Sequence, residues 1–287
     1  METKKNLPSV TDIIDDLLSG LNDLKNHDID GDGKVTIYDV TALIDKIIKG
    51  DDEDEDPHDS VFTVNSVSFK MVAVKPGSFT MGSPATETGS GTNERPQHKV
   101  TLTKEYLIGD TPVTQALWIA VMGTNPSKNK GNQHLPVENV SWVECQAFIA
   151  KLNEMTGKKF RLPTEAEWEF AARGGSKSGG TIFSGGNTPK DVAWYSTNSG
   201  GTTQPVAQKV PNELGLYDMS GNVSEWVQDM YGAYTDQAAT DPTGPASNYK
   251  VYRNGSYQDA AKECRVARRY PAVPSYKQPF LGLRLAL

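Results

Sequence analysis

Only two of the 287 residues are cysteine, four are histidine, and no apolar run is longer than the seven residues 116–122. A membrane-spanning helix needs roughly 20 apolar residues, so no span is expected. Two cysteines permit a single disulfide, which is consistent with an oxidising compartment without being diagnostic of one. The four histidines, His27, His58, His98 and His134, are too scattered for a closely spaced zinc or iron set. The absence of a Lys/Arg-rich run argues against nucleic acid as a partner. Asp12, Asp15 and Asp16 interrupt the stretch where a leader's apolar segment would lie, so no export leader is expected within this chain.

The composition is otherwise that of a folded protein, with 37% hydrophobic and 23% charged residues. The formal charge of −7 is unevenly spread. Residues 1–50 hold 10 acids and 6 bases, residues 51–59 hold 7 acids and no base, and the remainder holds 19 acids against 23 bases. Six consecutive acids followed by Pro57 repel one another and stay solvated, so residues 51–60 read as a linker. Two segments of similar sequence, residues 10–20 and 40–50, precede it. In each, apolar residues recur at the spacing of an amphipathic helix (Val10, Ile13, Ile14, Leu17, Leu18; Val40, Leu43, Ile44, Ile47, Ile48), and each ends at a glycine.

Between these helices lies a loop with the spacing of a calcium site. Asp28, Asp30 and Asp32 supply carboxylates, Gly33 the sharp turn, Lys34 a carbonyl, Thr36 a hydroxyl or its water, and Asp39 the closing carboxylate. A hard cation that takes six to eight oxygens accounts for this pattern. An Asp at the last position, followed by Val-Thr-Ala-Leu-Ile, resembles a dockerin repeat over residues 9–50. That resemblance implies a small α-helical EF-hand module, a cohesin-like partner, and an extracellular or cell-surface location. Only one loop of the usual two is present.

After the linker, residues 61–74 alternate as two short strands. Ser141 with Glu144 and Thr164 with Glu167 form capping boxes, each opening a helix. Trp142, Cys145, Phe148, Ile149 and Leu152 line one face of the first, and the second runs to Ala172. Residues 251–287 read as short strands around a long loop. Few helices and many loops give an α+β class. The expected division is 1–50, a linker at 51–60, and one domain over 61–287.

Eight strings within that domain occur in the order found in the formylglycine-generating enzyme, or sulfatase-modifying factor, family. They are residues 76–83 (PGSFTMGS), 94–98 (ERPQH), 136–142 (PVENVSW), 161–173 (RLPTEAEWEFAAR), 212–226 (NELGLYDMSGNVSEW), 253–257 (RNGSY), 264–268 (CRVAR) and 282–284 (GLR). The resemblance implies an irregular α+β fold related to C-type lectins, usually stabilised by calcium. It also implies, in the enzymes, two cysteines that bind Cu(I) and oxidise a substrate cysteine. Here Asp259 stands where the first would lie, and Cys264 nominally where the second would. A carboxylate does not replace a thiolate for this soft ion. The oxidase chemistry is therefore expected to be lost; an oxidase would have to rely on Cys264 and Ser256. Cys145 is expected as a buried structural thiol or in a disulfide with Cys264. The same resemblance suggests calcium at Asp218, Glu225 and the carbonyls of Gly221 and Val223.

Basic residues concentrate near the C-terminus beside tyrosines. An anionic, glycan or peptide ligand is expected on Arg253, Tyr257, Asp259, Arg268, Tyr270 and Tyr276; the alternative is that Arg265 and Arg284 pair with buried carboxylates such as Glu165 or Glu167 and the other arginines are solvated. In lectin-like variable proteins of the superfamily, residues 257–280 would form the variable binding loop.

Overall fold

The computed structural model describes residues 59–287, and the amphipathic repeat and the loop 28–39 lie outside them. The chain divides into two units, at Asp56 and Pro57, and the described residues belong to the second. Strands β1 (Ser60–Val64) and β2 (Val67–Val74) form an antiparallel hairpin. Asn65 and Ser66 join them with φ of 47° and 66°. Two successive left-handed residues match the right-handed twist of the flanking strands. β5 (Tyr106–Gly109) completes this three-stranded sheet. β3 (Gly77–Met81) and β4 (His98–Leu102) make a second hairpin, with β7 (Ala239–Thr240) at its edge.

Helix α1 spans Gln115–Met122 and is capped by Thr114. α2 (Trp142–Thr156) starts at Ser141, whose hydroxyl accepts from the Glu144 N–H while Glu144 bonds back to the Ser141 N–H. α3 (Glu165–Ala172) repeats the device with Thr164 and Glu167. Each reciprocal cap satisfies N–H groups that the first helical turn leaves unpaired. The buried side of α2 is Cys145, Phe148, Ile149 and Leu152, and Phe148 stacks on Trp118 of α1 with ring centroids 4.8 Å apart. A short α4 (Pro189–Val192) follows.

The site rests on the third sheet, ordered β10 (Leu281–Leu283), β6 (Ser224–Met230), β8 (Lys250–Arg253), β9 (Arg269–Ala272). The last residues tie it to the first sheet. Leu287 exchanges backbone hydrogen bonds with Leu107, and Ala286 with Arg161, all at 2.8–3.1 Å. No helix among the described residues is long and apolar enough to cross a membrane.

Candidate functional site

Strands β8 and β9 pair antiparallel, with Arg253 opposite Arg269 and Tyr252 opposite Tyr270. Successive side chains leave a strand on opposite faces. The arginines go inward and are buried; the tyrosines go outward and are half-buried.

Two like charges directly opposite one another are unfavourable unless neutralised. Helix α3 supplies the neutralisation. Arg253 Nη1 donates to Glu165 Oε1 and Nη2 to Glu169 Oε2, both at 2.7 Å. Arg269 grips the two oxygens of Glu165 at 2.6 and 2.7 Å. Arg173 closes on Glu169 at 2.7 Å. Burial raises the carboxyls of Glu165 and Glu169, but the arginines outweigh it and both lie below the usual carboxylate range. The other C-terminal arginines are also engaged. Arg265 pairs with Glu94 and Glu87, and Arg268 with Glu94 and Glu263. Arg253 therefore does not belong to the ligand surface: it is fully buried, and its Nη2 also donates to the Val266 carbonyl at 2.7 Å. The arginines of the basic patch read from the sequence are engaged in ion pairs within the domain.

The outer face is aromatic. Tyr252 and Tyr270 stack with centroids 4.9 Å apart and planes 13° apart. Tyr276 continues the row at 6.4 Å and 18°, and Trp226 meets Tyr252 edge-on at 5.7 Å. The Arg268 guanidinium lies 4.4 Å from the Tyr270 ring. Asp259 Oδ2 accepts from the Ser256 N–H at 2.9 Å and the Ser256 hydroxyl at 2.6 Å. Asp259 is close enough to help push the Tyr252 phenol and the Cys264 thiol upward, after burial, the larger cause in each. Tyr257 is a second correction. It is 93% buried and, among the described residues, no ring contact with this row includes it; its hydroxyl lies 3.5 Å from Asn129 Nδ2. The structure thus brings together Asp259, Arg268, Tyr270 and Tyr276, and adds Tyr252, the centre of the row. The alternation Lys250, Val251, Tyr252, Arg253 was the signal that would have found it.

Residues 218–225 form a tight turn. Asp218, Gly221 and Asn222 have φ of 57°, 77° and 62°, and a side chain at Gly221 would run into the Trp194 carbonyl. The carbonyls of Asp218, Gly221 and Val223 converge on the side-chain amide of Asn254, at 3.2, 2.8 and 3.1 Å from Nδ2. Asn254 Oδ1 accepts from the Gly221 N–H at 2.8 Å, which fixes the amide's orientation. Glu225 is held by Arg284 at 2.9 Å and by the Trp168 indole at 2.6 Å. Asp218 Oδ2 accepts from the Ala207 N–H at 2.9 Å, and its buried Oδ1 has no partner among the described residues. Burial pushes this carboxyl up to about 6. Calcium takes six to eight oxygens at about 2.3–2.6 Å. One open oxygen does not meet that need, so this donor set does not fit the ion.

The profile described as the sulfatase-modifying factor enzyme 1-like domain matches residues 61–287. The chain belongs to this family. Among curated members, a protein named chaperone protein LppX from Paenibacillus barcinonensis is 33% identical over 217 residues, covering 58% of this chain and 74% of that one. A formylglycine-generating enzyme from Streptomyces coelicolor is 34% identical over 195 residues, covering 59% and 60%. Among solved structures, Treponema denticola variable protein 1 superposes with a TM-score of 0.74 at 35% identity, over 80% of this chain and 99% of that one. The chain thus spans 60% of the length of the Streptomyces enzyme.

The copper chemistry expected of an oxidase in this family needs two thiolates facing one ion. Cys145 packs with Trp118 and Phe148, whereas Cys264 sits in a separate cluster with Phe183, Val192 and Ala193. Both thiols are free, so the disulfide alternative is set aside. Burial pushes both thiols well up, with Glu144 adding to it at Cys145, and Asp259 and Glu263 at Cys264. These residues do not fit Cu(I).

Proposed function

We propose that the sulfatase-modifying-factor domain binds a ligand without oxidising it, on the face formed by Tyr252, Tyr270 and Tyr276 beside Asp259. The stacked row of half-buried rings carries this reading. Tyrosine rings offer flat apolar area with a polar tip, suited to the C–H faces and hydroxyls of a glycan or to a peptide. Asp259 spends one oxygen on Ser256 and keeps the other for a donor. Because Arg253, Arg265, Arg268 and Arg269 are paired internally, an anionic group on the ligand is not required. A neutral glycan is the first choice. A glycan array and a peptide library probed with the full chain test the assignment. Binding of an identified ligand should fall at least ~10-fold in Tyr252→Ala and Asp259→Ala, while near-ultraviolet circular dichroism stays native. Unchanged affinity in both variants would remove this face from consideration.

A second reading, a formylglycine-generating oxidase, is favoured by the likeness to the Streptomyces enzyme. Copper-loaded protein incubated with a Cys-x-Pro-x-Arg peptide and analysed by mass decides it. An aldehyde product that disappears in Cys264→Ala establishes the oxidase.

For residues 1–50 the proposal is a dockerin-like module with calcium at residues 28–39, a cohesin-like partner, and work outside the cell or at its surface. The ligand spacing Asp28, Asp30, Asp32 supports it. Calcium titration of the full chain should lose one site in Asp30→Asn combined with Asp32→Asn.

A further inference from the structure

We propose that Asn254 and Arg284 together occupy the role of a divalent cation in the 218–225 turn, so that the domain folds without metal there. Three carbonyl oxygens aimed at one point repel each other unless something positive sits between them. Here that centre is the Asn254 amide nitrogen, 2.8–3.2 Å from all three. It carries only two protons, so the three carbonyls share them. The nearby carboxylate of Glu225 is neutralised separately by Arg284, itself fully buried. A neutral donor thus serves the carbonyls and a fixed cation serves the carboxylate.

The backbone explains why asparagine holds this post. Asn254 has φ of 72°, in the left-handed region. Glycine adopts this conformation freely, and asparagine is enriched there among other residues. Glycine would leave the three carbonyls without the donor they now share. Asparagine supplies it from its own side chain and, through Oδ1, also satisfies the Gly221 N–H.

The experiment compares the full chain with Asn254→Gly and Asn254→Asp. All five tryptophans lie at residue 118 or beyond, so terbium emission excited through tryptophan, and tryptophan-detected melting, report on the domain. Each protein also carries Asp30→Asn and Asp32→Asn, which removes the loop 28–39 as an ion site. With asparagine in place, no tryptophan-sensitised terbium emission is expected, and the midpoint should be the same in chelator and in excess calcium. Asn254→Asp turns the donor into an acceptor among acceptors. In chelator its midpoint should fall by roughly 5–10 °C and recover at least half of that in calcium. Asn254→Gly should gain terbium emission that calcium displaces. The proposal is overturned if the protein retaining Asn254 shows calcium-displaceable emission, or if Asn254→Gly gains none. It is overturned equally if Asn254→Asp melts normally in chelator. Should Asn254→Asp not fold at all, the glycine variant alone decides.

Discussion

The two faces of the β8–β9 ribbon share a backbone and differ in every other respect. The inner face carries Arg253 and Arg269, locked between Glu165 and Glu169 of α3. The outer face carries Tyr252 and Tyr270, which stack on each other, with Arg268 against the Tyr270 ring and the Tyr270 hydroxyl donating to Glu263 at 2.7 Å. Charge on this strand pair maintains the fold, and the aromatic side is the one the proposed recognition would use. Read along the chain, the same residues left two roles open for the arginines, pairing with buried carboxylates such as Glu165 or Glu167 and receiving a ligand.

The sharpest way to break this contrast is Glu165→Ala. It would leave two arginines facing each other in the interior, with Glu169 able to serve only one. Removing one partner of a buried ion pair typically costs about 3–5 kcal/mol, and denaturant unfolding should read a loss of that size or an unfolded chain. Tyr252→Ala tests the other face. It should weaken ligand binding at least ~10-fold and cost stability only about 1–3 kcal/mol, because the side chain is partly exposed.

Titration separates paired from unpaired carboxylates within the interior. Glu94, held by Arg265, is lowered to about 2, although burial acts against the pairing. A depressed folded pKa gives stability that is present above the unfolded value of about 4.5 and is lost as pH falls toward 2. Asp229 has no arginine; burial, aided by Glu165, pushes it up to about 7. A raised carboxyl pKa has the opposite sign: the folded state binds the extra proton, so stability declines as pH rises from about 4 to 7. Asp229→Asn should flatten that decline in urea midpoints collected across the range, and Arg265→Lys, which lets the Glu94 pKa rise back toward its unfolded value, should lower stability near neutral pH and make the acid limb shallower.

Two smaller changes calibrate the scale. Ser141→Ala removes the cap of α2 and should cost about 1 kcal/mol. Lys277→Ala breaks an exposed pair with Glu144 and should change stability by no more than about 0.5 kcal/mol. An effect of Lys277→Ala comparable to that of Glu165→Ala would erase the distinction between inner and outer charge.

Local signals in the chain translated well. The two capping boxes begin α2 and α3 where their Ser/Thr and Glu residues stand, and the alternation over 61–74 became the first hairpin. The family strings fixed the domain's identity. Partners far apart in sequence were not legible. Glu94 and Arg265 are separated by 171 residues, and Glu165 and Arg253 by 88, so no periodicity or spacing joins them. The burial of Tyr257 was not legible because it depends on tertiary packing, and the role of Asn254 depends on three carbonyls whose orientation only the folded turn sets.

The buried Glu165 clamp also bears on how such a domain can change. Because the ribbon is gripped from beneath, substitutions on top need not disturb the registry of its strands. Tyr252, Tyr270 and Tyr276 could be exchanged in combination, and a library built on those positions would sample new specificities on an unaltered scaffold.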